Sequence, residues 1–205
     1  MAREKAADKL LRMTQIETEL WAAGERVAGI DEVGRGPFCG PVMSACVVVP
    51  REALIEGVDD SKKLSEAKRE MLYEQLMQRA SYVRTASVSA KEIDELGILA
   101  ATKRTMGEAA AGAVGAFFLI DAVEGLILPG QSRSMIKGDA ISYMIAAASI
   151  IAKVERDRYM CALGERYPMY GFAQNKGYGT AAHIAALRQY GPCPEHRMSF
   201  IHRYV

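Results

Sequence analysis

Residues 27–41, VAGIDEVGRGPFCGP, set the tightest condition on any fold open to this chain. An apolar segment runs into two adjacent carboxylates, Asp31 and Glu32, and then into Gly34-Arg35-Gly36 and a Gly/Pro-rich turn. Residues 26–33 and 42–49 are predicted to be strands joined by that turn. The second is nearly all apolar, which requires burial on both faces and puts the hairpin at the centre of a sheet. Acidic side chains crowded into such a place are costly without a cation. Glycines at alternate positions let a backbone approach another molecule closely, and the arginine between them can fork onto phosphate. A metal ion and a polyanion are the partners this chemistry suggests.

The 205 residues, half of them apolar, suit one domain with a sizeable core. Cys39, Cys46, Cys161 and Cys193 have no C-x-x-C spacing and sit singly among apolar or Gly/Pro neighbours. That favours reduced thiols in a cytoplasmic protein over a disulfide framework or a zinc site. Residues 2–14 are charged throughout and lack the apolar core of a signal peptide. The longest apolar-rich run, 140–152, is too short to span a bilayer, so no membrane is expected. Charge divides unevenly: residues 1–130 carry 16 Lys/Arg against 20 Asp/Glu, and residues 131–205 carry 10 against 5. An acidic part holding metal and a basic part holding phosphates suit a nucleic-acid enzyme, although ordinary surface variation explains the division equally well.

Leu10, Leu11, Met13, Ile16, Leu20 and Trp21 recur at three- and four-residue steps, so residues 2–23 are predicted to form an amphipathic helix closed by Gly24. Residues 1–24 are thus a helical extension ahead of the main domain, 25–205. Residues 59–63, DDSKK, form a polar loop in which Ser61-Lys62 is either simply solvated or binds a phosphate. A helix over 65–79 follows, with Met71, Leu72 and Leu76 on one side, and then a third strand over 82–89. Ser89 and Glu92 have capping-box spacing and start a short helix ending near Gly97, before a second helix over 98–111.

The apolar run 116–120 reads as a buried strand delivering Asp121 at its C-terminal end, where α/β enzymes keep their chemistry; a turn-starting Asp fits as well. A short strand over 132–136 leads to Lys137-Gly138-Asp139. Asp139 opens a long helix, 140–166, with Ile141, Ile145, Ala148, Ile151 and Ala152 as its inner stripe. It suits an N-cap and an outward-aimed metal ligand equally. Residues 175–180, NKGYGT, present a lysine and the ring of Tyr178 on a glycine-flexed loop, a way to grip phosphate and stack on a sugar or base. A helix over 181–190 follows. No repeat or low-complexity linker interrupts an α/β domain with a helical N-terminal addition.

Asp31, Glu32, Asp121 and Asp139 therefore stand at strand ends or a helix start. Hard oxygen donors without a His/Cys set point to Mg²⁺ or Mn²⁺. Two such ions, roughly 3.5–4 Å apart, are suited to in-line hydrolysis of a phosphodiester. Neighbours on a regular strand face opposite ways, so either a distortion at Glu32, or ligation by Glu32 through backbone or water, is expected.

AGIDEVGRGPFCGPV, DSKKLS, the segment 98–102, FLIDA, KGD, AAASIIAKVERDR, NKGYGT and HRMSF, in this order, closely resemble the motifs of bacterial ribonuclease HII, the type 2 ribonuclease H family, over residues 21–200. The resemblance implies a ribonuclease H-like fold, a mixed five-stranded sheet flanked by helices. It implies cleavage of the RNA strand of RNA–DNA hybrids, and cleavage 5′ to single ribonucleotides in duplex DNA, leaving 3′-hydroxyl and 5′-phosphate ends. By motif, Asp31, Glu32, Asp121 and Asp139 are the metal-binding catalytic set. Gly34, Arg35 and Gly36 read the ribose 2′-OH, Tyr178 stacks on the next sugar, and Ser61, Lys62 and Lys153 are candidates for phosphate contacts. Gly97 stands where the family more often has Asn. The additional N-terminal DNA-binding domain of ribonuclease HIII and a terminal sliding-clamp-binding segment are not expected, and the protein is expected to be a monomer.

Overall fold

Five strands form one sheet: β1 (Val27–Val33), β2 (Val42–Val48), β3 (Tyr82–Val88), β4 (Phe117–Asp121) and β5 (Ser132–Met135). They come from a computed structural model, which describes residues 5–205; residues 2–4 of the predicted first helix lie outside the described residues. The strand order is β3-β2-β1-β4-β5, with β1, β2 and β3 antiparallel and β4 and β5 parallel to β1. This is the mixed five-stranded sheet expected, with β1 at its centre.

Strand periodicity sorts β1 into two cores. Val27 and Val33 face one side with Val47, Leu119 and the first half of α6 (Tyr143–Arg166). Ala28 and Ile30 face the other with Cys46, Phe118, Ile120 and the inner face of α5 (Ile98–Ala110), including Met106 and Ala109. Helix α6 crosses β1 so closely that a Cβ at Gly29 would lie 2.0 Å from the Met144 carbonyl carbon. Only glycine admits that contact. A further apolar cluster joins Cys39, Met160, Leu163, Tyr170, Phe172, Leu187 and Ile201. It packs the far end of α6 against α7 (Phe172–Asn175), α8 (Ala181–Tyr190) and α9 (Met198–Ile201), and under the turn after β1.

Several boundaries differ from the sequence expectation. The N-terminal helix is broken into α1 (Ala6–Met13) and α2 (Gln15–Ala22) at Thr14. Thr14 leaves helical geometry at φ −105°, ψ 13° and donates its hydroxyl to the Leu10 carbonyl at 2.8 Å. Such a side chain competes with the helix ladder. In α3 (Glu66–Arg79) the inner positions are Leu72, Tyr73 and Leu76, while Met71 is exposed. The Ser89–Glu92 capping box is formed at the start of α4 (Ala90–Leu96), and Gly97 ends that helix at φ +78°.

The largest difference concerns α6. It begins at Tyr143, not residue 140, because Ser142 takes the N-cap and accepts the Ile145 N–H at 3.2 Å. Asp139 is therefore not its cap but lies in a separate 3₁₀ turn, Gly138–Ala140. Ile141 falls between the two and is exposed, whereas Ile145, Ala148, Ile151 and Ala152 are fully buried.

Candidate active site

Parallel pairing sets Ile30 of β1 beside Ile120 of β4, so Asp31 and Asp121 follow each other on adjacent strands. The 3₁₀ turn after β5 brings in Asp139. One carboxylate oxygen from each of Asp31, Asp121 and Asp139 lies within 4.8 Å of the others. The Gly138 N–H donates to Asp121 Oδ1 at 2.7 Å, tying the two acid-bearing segments together. Asp31 Oδ1 accepts the Glu32 N–H at 2.7 Å, and Lys62 Nζ reaches Asp139 Oδ2 at 3.3 Å.

Electrostatics follow from that crowding. Asp31 is nearly buried, and its pKa stands well above the usual carboxylate range, first from burial and then from the charges of Glu32, Asp121 and Asp139. Burial also raises Asp121, with Asp139 adding to it. Burial opposes the charge on Lys62, but Asp139 draws its pKa upward on balance. Three convergent oxygen anions and one lysine leave excess negative charge for a hard cation to neutralise.

No distortion is found at Glu32. The β1–β2 register runs without a bulge through Asp31↔Ala45, Glu32↔Ser44 and Val33↔Met43. Asp31 and Glu32 consequently leave the strand on opposite faces, and Glu32 falls outside the three-aspartate group. Its Oε1 lies 3.6 Å from Arg35, while its Oε2 is buried without a hydrogen-bond partner. Burial raises the pKa of this carboxyl, Arg35 opposes the rise, and the charge of Asp121 adds to it. An orphaned buried carboxylate oxygen next to an acidic cluster suits a cation site.

The turn after β1 is held from beneath by two buried arginines. Arg197 donates to the carbonyls of Gly34 at 2.6 Å, Arg35 at 3.1 Å and Gly40 at 2.9 Å. Arg156 donates to those of Pro41 at 2.9 Å, Cys39 at 3.1 Å and Lys176 at 3.0 Å. Burial, and then the nearby charge of Arg156, lower the Arg197 pKa to about 9. Gly34 has φ +89°, and a Cβ there would stand 2.3 Å from Arg156 Nε, so that turn requires glycine. Both arginines fall within motifs quoted from the sequence, AAASIIAKVERDR and HRMSF, but their role beneath the turn was not foreseen. Arg156 continues the buried stripe four residues beyond Ala152, a spacing that could have marked it.

Tyr178 is half exposed, and its ring lies 3.9 Å from where a Cβ on Gly36 would be. The Phe38 N–H donates to the Gly177 carbonyl at 2.8 Å, fastening the two loops together. Ser61 and Lys153 are engaged elsewhere: Ser61 is buried and accepts from the Ser149 hydroxyl at 2.7 Å, and Lys153 pairs with Asp157 at 2.7 Å. Among the described residues the non-glycine positive φ values are at Ala122 (48°), Lys137 (58°) and Lys176 (51°). Each lies within two residues of Asp121, Asp139 or Tyr178, and each costs about 1–3 kcal/mol that the surrounding structure must hold.

The family model described as ribonuclease HII matches residues 28–205. Ribonuclease HII of Geobacillus thermodenitrificans is 52% identical over 97% of this chain and 78% of its own length. That of Bacillus cereus is 49% identical over 96% and 77%. Among solved structures, the ribonuclease H2 from Pyrococcus horikoshii is 28% identical with a TM-score of 0.71, covering 87% of this chain and 98% of its own. The ribonuclease HII of Archaeoglobus fulgidus, solved as a complex with PCNA, is 28% identical with a TM-score of 0.73, covering 85% and 93%. These neighbours make the sheet and its helices a ribonuclease H-like fold. The chain belongs to the ribonuclease HII family, divalent-metal-dependent endoribonucleases acting on RNA–DNA substrates.

Proposed function

We propose that this protein cleaves the RNA strand of RNA–DNA hybrids and nicks duplex DNA on the 5′ side of a single embedded ribonucleotide, leaving 3′-hydroxyl and 5′-phosphate ends. The observation that carries the reading is the convergence of three aspartates beside a glycine turn whose Gly36 adjoins the half-exposed Tyr178. Asp31, Asp121 and Asp139 would hold two divalent ions, Mn²⁺ or Mg²⁺, with Glu32, on the other face of β1, contributing through its backbone or a water. When bound, such ions make a water more acidic and offset the charge that builds on the scissile phosphate.

The chain's own residues supply position and selectivity. Backbone groups of Gly34, Arg35 and Gly36, in a turn whose Gly34 and Arg35 carbonyls Arg197 holds, would read the ribose 2′-hydroxyl, the group that tells RNA from DNA. The Tyr178 ring would stack on the following sugar and favour a deoxyribose there. Lys62, largely exposed beside Asp139, is the leading phosphate contact. Ser61 and Lys153 would have to leave Ser149 and Asp157 first, and they rank behind it. Residues 25–205 are taken as the catalytic unit and 1–24 as an extension buttressing it. The protein would act as a cytoplasmic monomer; no helix among the described residues is long and apolar enough to cross a membrane.

The test is a labelled DNA duplex with one ribonucleotide, incubated with Mg²⁺, Mn²⁺ or EDTA. Metal-dependent nicking 5′ to the ribonucleotide supports the reading. Binding without nicking, or cleavage indifferent to the ribonucleotide, contradicts it.

A further inference from the structure

Behind the glycine turn, Cys39 Sγ, Cys193 Sγ and a ring nitrogen of His196 lie within 4.8 Å of one another; Cys39 and His196 are buried, and Cys193 keeps 8% exposure. Two chain segments are fixed side by side there. Cys39 and His196 form an antiparallel bridge, the Gly40 N–H donates to the Glu195 carbonyl at 2.9 Å, and the Arg197 N–H donates to the Phe38 carbonyl at 2.8 Å. A Cys₂His set is the donor chemistry of a soft metal ion, but the histidine is already committed. His183 Nδ1 lies 2.9 Å from the Tyr178 carbonyl, which only accepts, so His183 donates from Nδ1 and accepts at Nε2. His196 Nε2, 3.0 Å away, must then donate, and its Nδ1 accepts the Cys193 N–H at 2.9 Å. Neither nitrogen of His196 keeps a free lone pair. Two facing sulfurs remain.

Access differs between them. A surface cavity of about 360 Å³, lined in part by Asp94, Pro194 and His196, opens onto Cys193. Cys39 is fully enclosed. The neighbouring Cys39 sulfur draws the Cys193 pKa down to about 4, while burial pushes that of Cys39 up. One cysteine thus lines a surface cavity and the other is enclosed beside it, the division of labour of an attacking and a resolving cysteine.

We propose that Cys39 and Cys193 form a redox-modification site, at which a peroxide joins them in a disulfide that fastens the loop between β1 and β2, just beyond the Gly34–Gly36 turn, covalently to the segment entering Arg197. The Cys193 thiolate attacks one peroxide oxygen, the O–O bond breaks, and the departing oxygen leaves as water after taking a proton, giving a sulfenic acid. Cys39 then attacks that sulfur as it gives up its proton. The S–O bond breaks, the S–S bond forms, and a second water leaves. Two thiols lose two electrons in all, and the peroxide gains them.

The experiment uses the full chain, reduced and then exposed to hydrogen peroxide, with free thiols alkylated and the peptides mapped without reduction. The expected result is loss of two hydrogens per chain and a Cys39–Cys193 cross-linked peptide that dithiothreitol reverses. In Cys39→Ser, Cys193 should instead advance to sulfinic or sulfonic acid. A Cys46→Ser/Cys161→Ser double variant keeps the pair intact and should still cross-link, which leaves the test standing if a single variant fails to fold. Over-oxidation of Cys193 in the unaltered chain without a cross-link, or unreacted thiols, overturns the proposal. So does stoichiometric zinc in the isolated protein that is lost in Cys193→Ser, which would make the cluster a metal site. Mapping the thiols requires no nuclease activity, so its failure is separate from failure of the cleavage reading.

Discussion

Asp31 is held where a carboxylate is least favourable, nearly buried and facing two other aspartates, and the cost shows in the direction of its pKa. Asp31, Glu32 and Asp121 are all raised, so without metal the folded state binds protons that the unfolded chain has released. Their contribution to stability is complete below the ordinary carboxylate value of about 4 and is lost as pH rises through the raised values. The metal-free melting temperature should therefore fall as pH rises above the ordinary carboxylate value of about 4, and Mn²⁺ should raise it more at the higher pH. Calorimetry with and without EDTA checks both. Asp31→Asn should melt higher than the unaltered protein without metal and lose most of the Mn²⁺ shift; equal responses would show that the cluster carries no such strain. Tyr178→Ala should leave the metal shift intact while reducing the preference for a single ribonucleotide over a long hybrid by about tenfold, the worth of one stacking contact. Competition between the two substrates measures it.

At the level of elements, α2 and α6 meet through Glu17, which is fully buried and accepts from the Ser142 hydroxyl at 2.6 Å and the Met144 N–H at 3.0 Å. The first helices also pair Lys9 with Asp59 and send Arg12 to the Ala140 carbonyl, so they brace both the Lys62 loop and the Asp139 turn. Glu17→Ala should remove two hydrogen bonds to a buried helix start and cost about 2–4 kcal/mol, a fall of about 5–12 °C in melting temperature. Cleavage should slow as Asp139 loses its support. Gly34→Ala should cost at least about 2 kcal/mol by thermal melting, because the new methyl meets Arg156 in a left-handed turn. Local patterns in the sequence reveal what is local: apolar runs ending on Asp31 and Asp121, and the Ser89–Glu92 box. They do not reveal where α6 begins, since Asp139 and Ser142 are both good N-caps and only packing chooses. The partners of Glu17, Arg156 and Arg197 were hidden, because they are distant in sequence and no periodicity records a carbonyl waiting to be capped; only the burial of Arg156 could have been read, from its place on the α6 stripe.

Across the whole molecule, the sheet order makes one site out of distant segments. Strand β1 lies between β2 and β4, so Asp31 and Asp121 share one end of the sheet, and β5 returns the chain there with Asp139. The C-terminal helices and their cluster around Tyr170, Phe172 and Leu187 pack under the glycine turn and bring up Tyr178. The fold class was legible in the alternation of buried strands and helices, and the motifs marked its carboxylates; the opposed faces of Asp31 and Glu32 emerge only from the unbroken register with β2. The account rests on three aspartates acting together through divalent ions. Its most direct measurement is the single-turnover nicking rate on a duplex with one ribonucleotide, titrated with Mn²⁺, for the unaltered chain and for Asp31→Asn, Asp121→Asn and Asp139→Asn. Nicking should require metal and fall by about a thousandfold or more in each variant while duplex binding persists; near-normal rates in any one of the three, or nicking in EDTA, would contradict it.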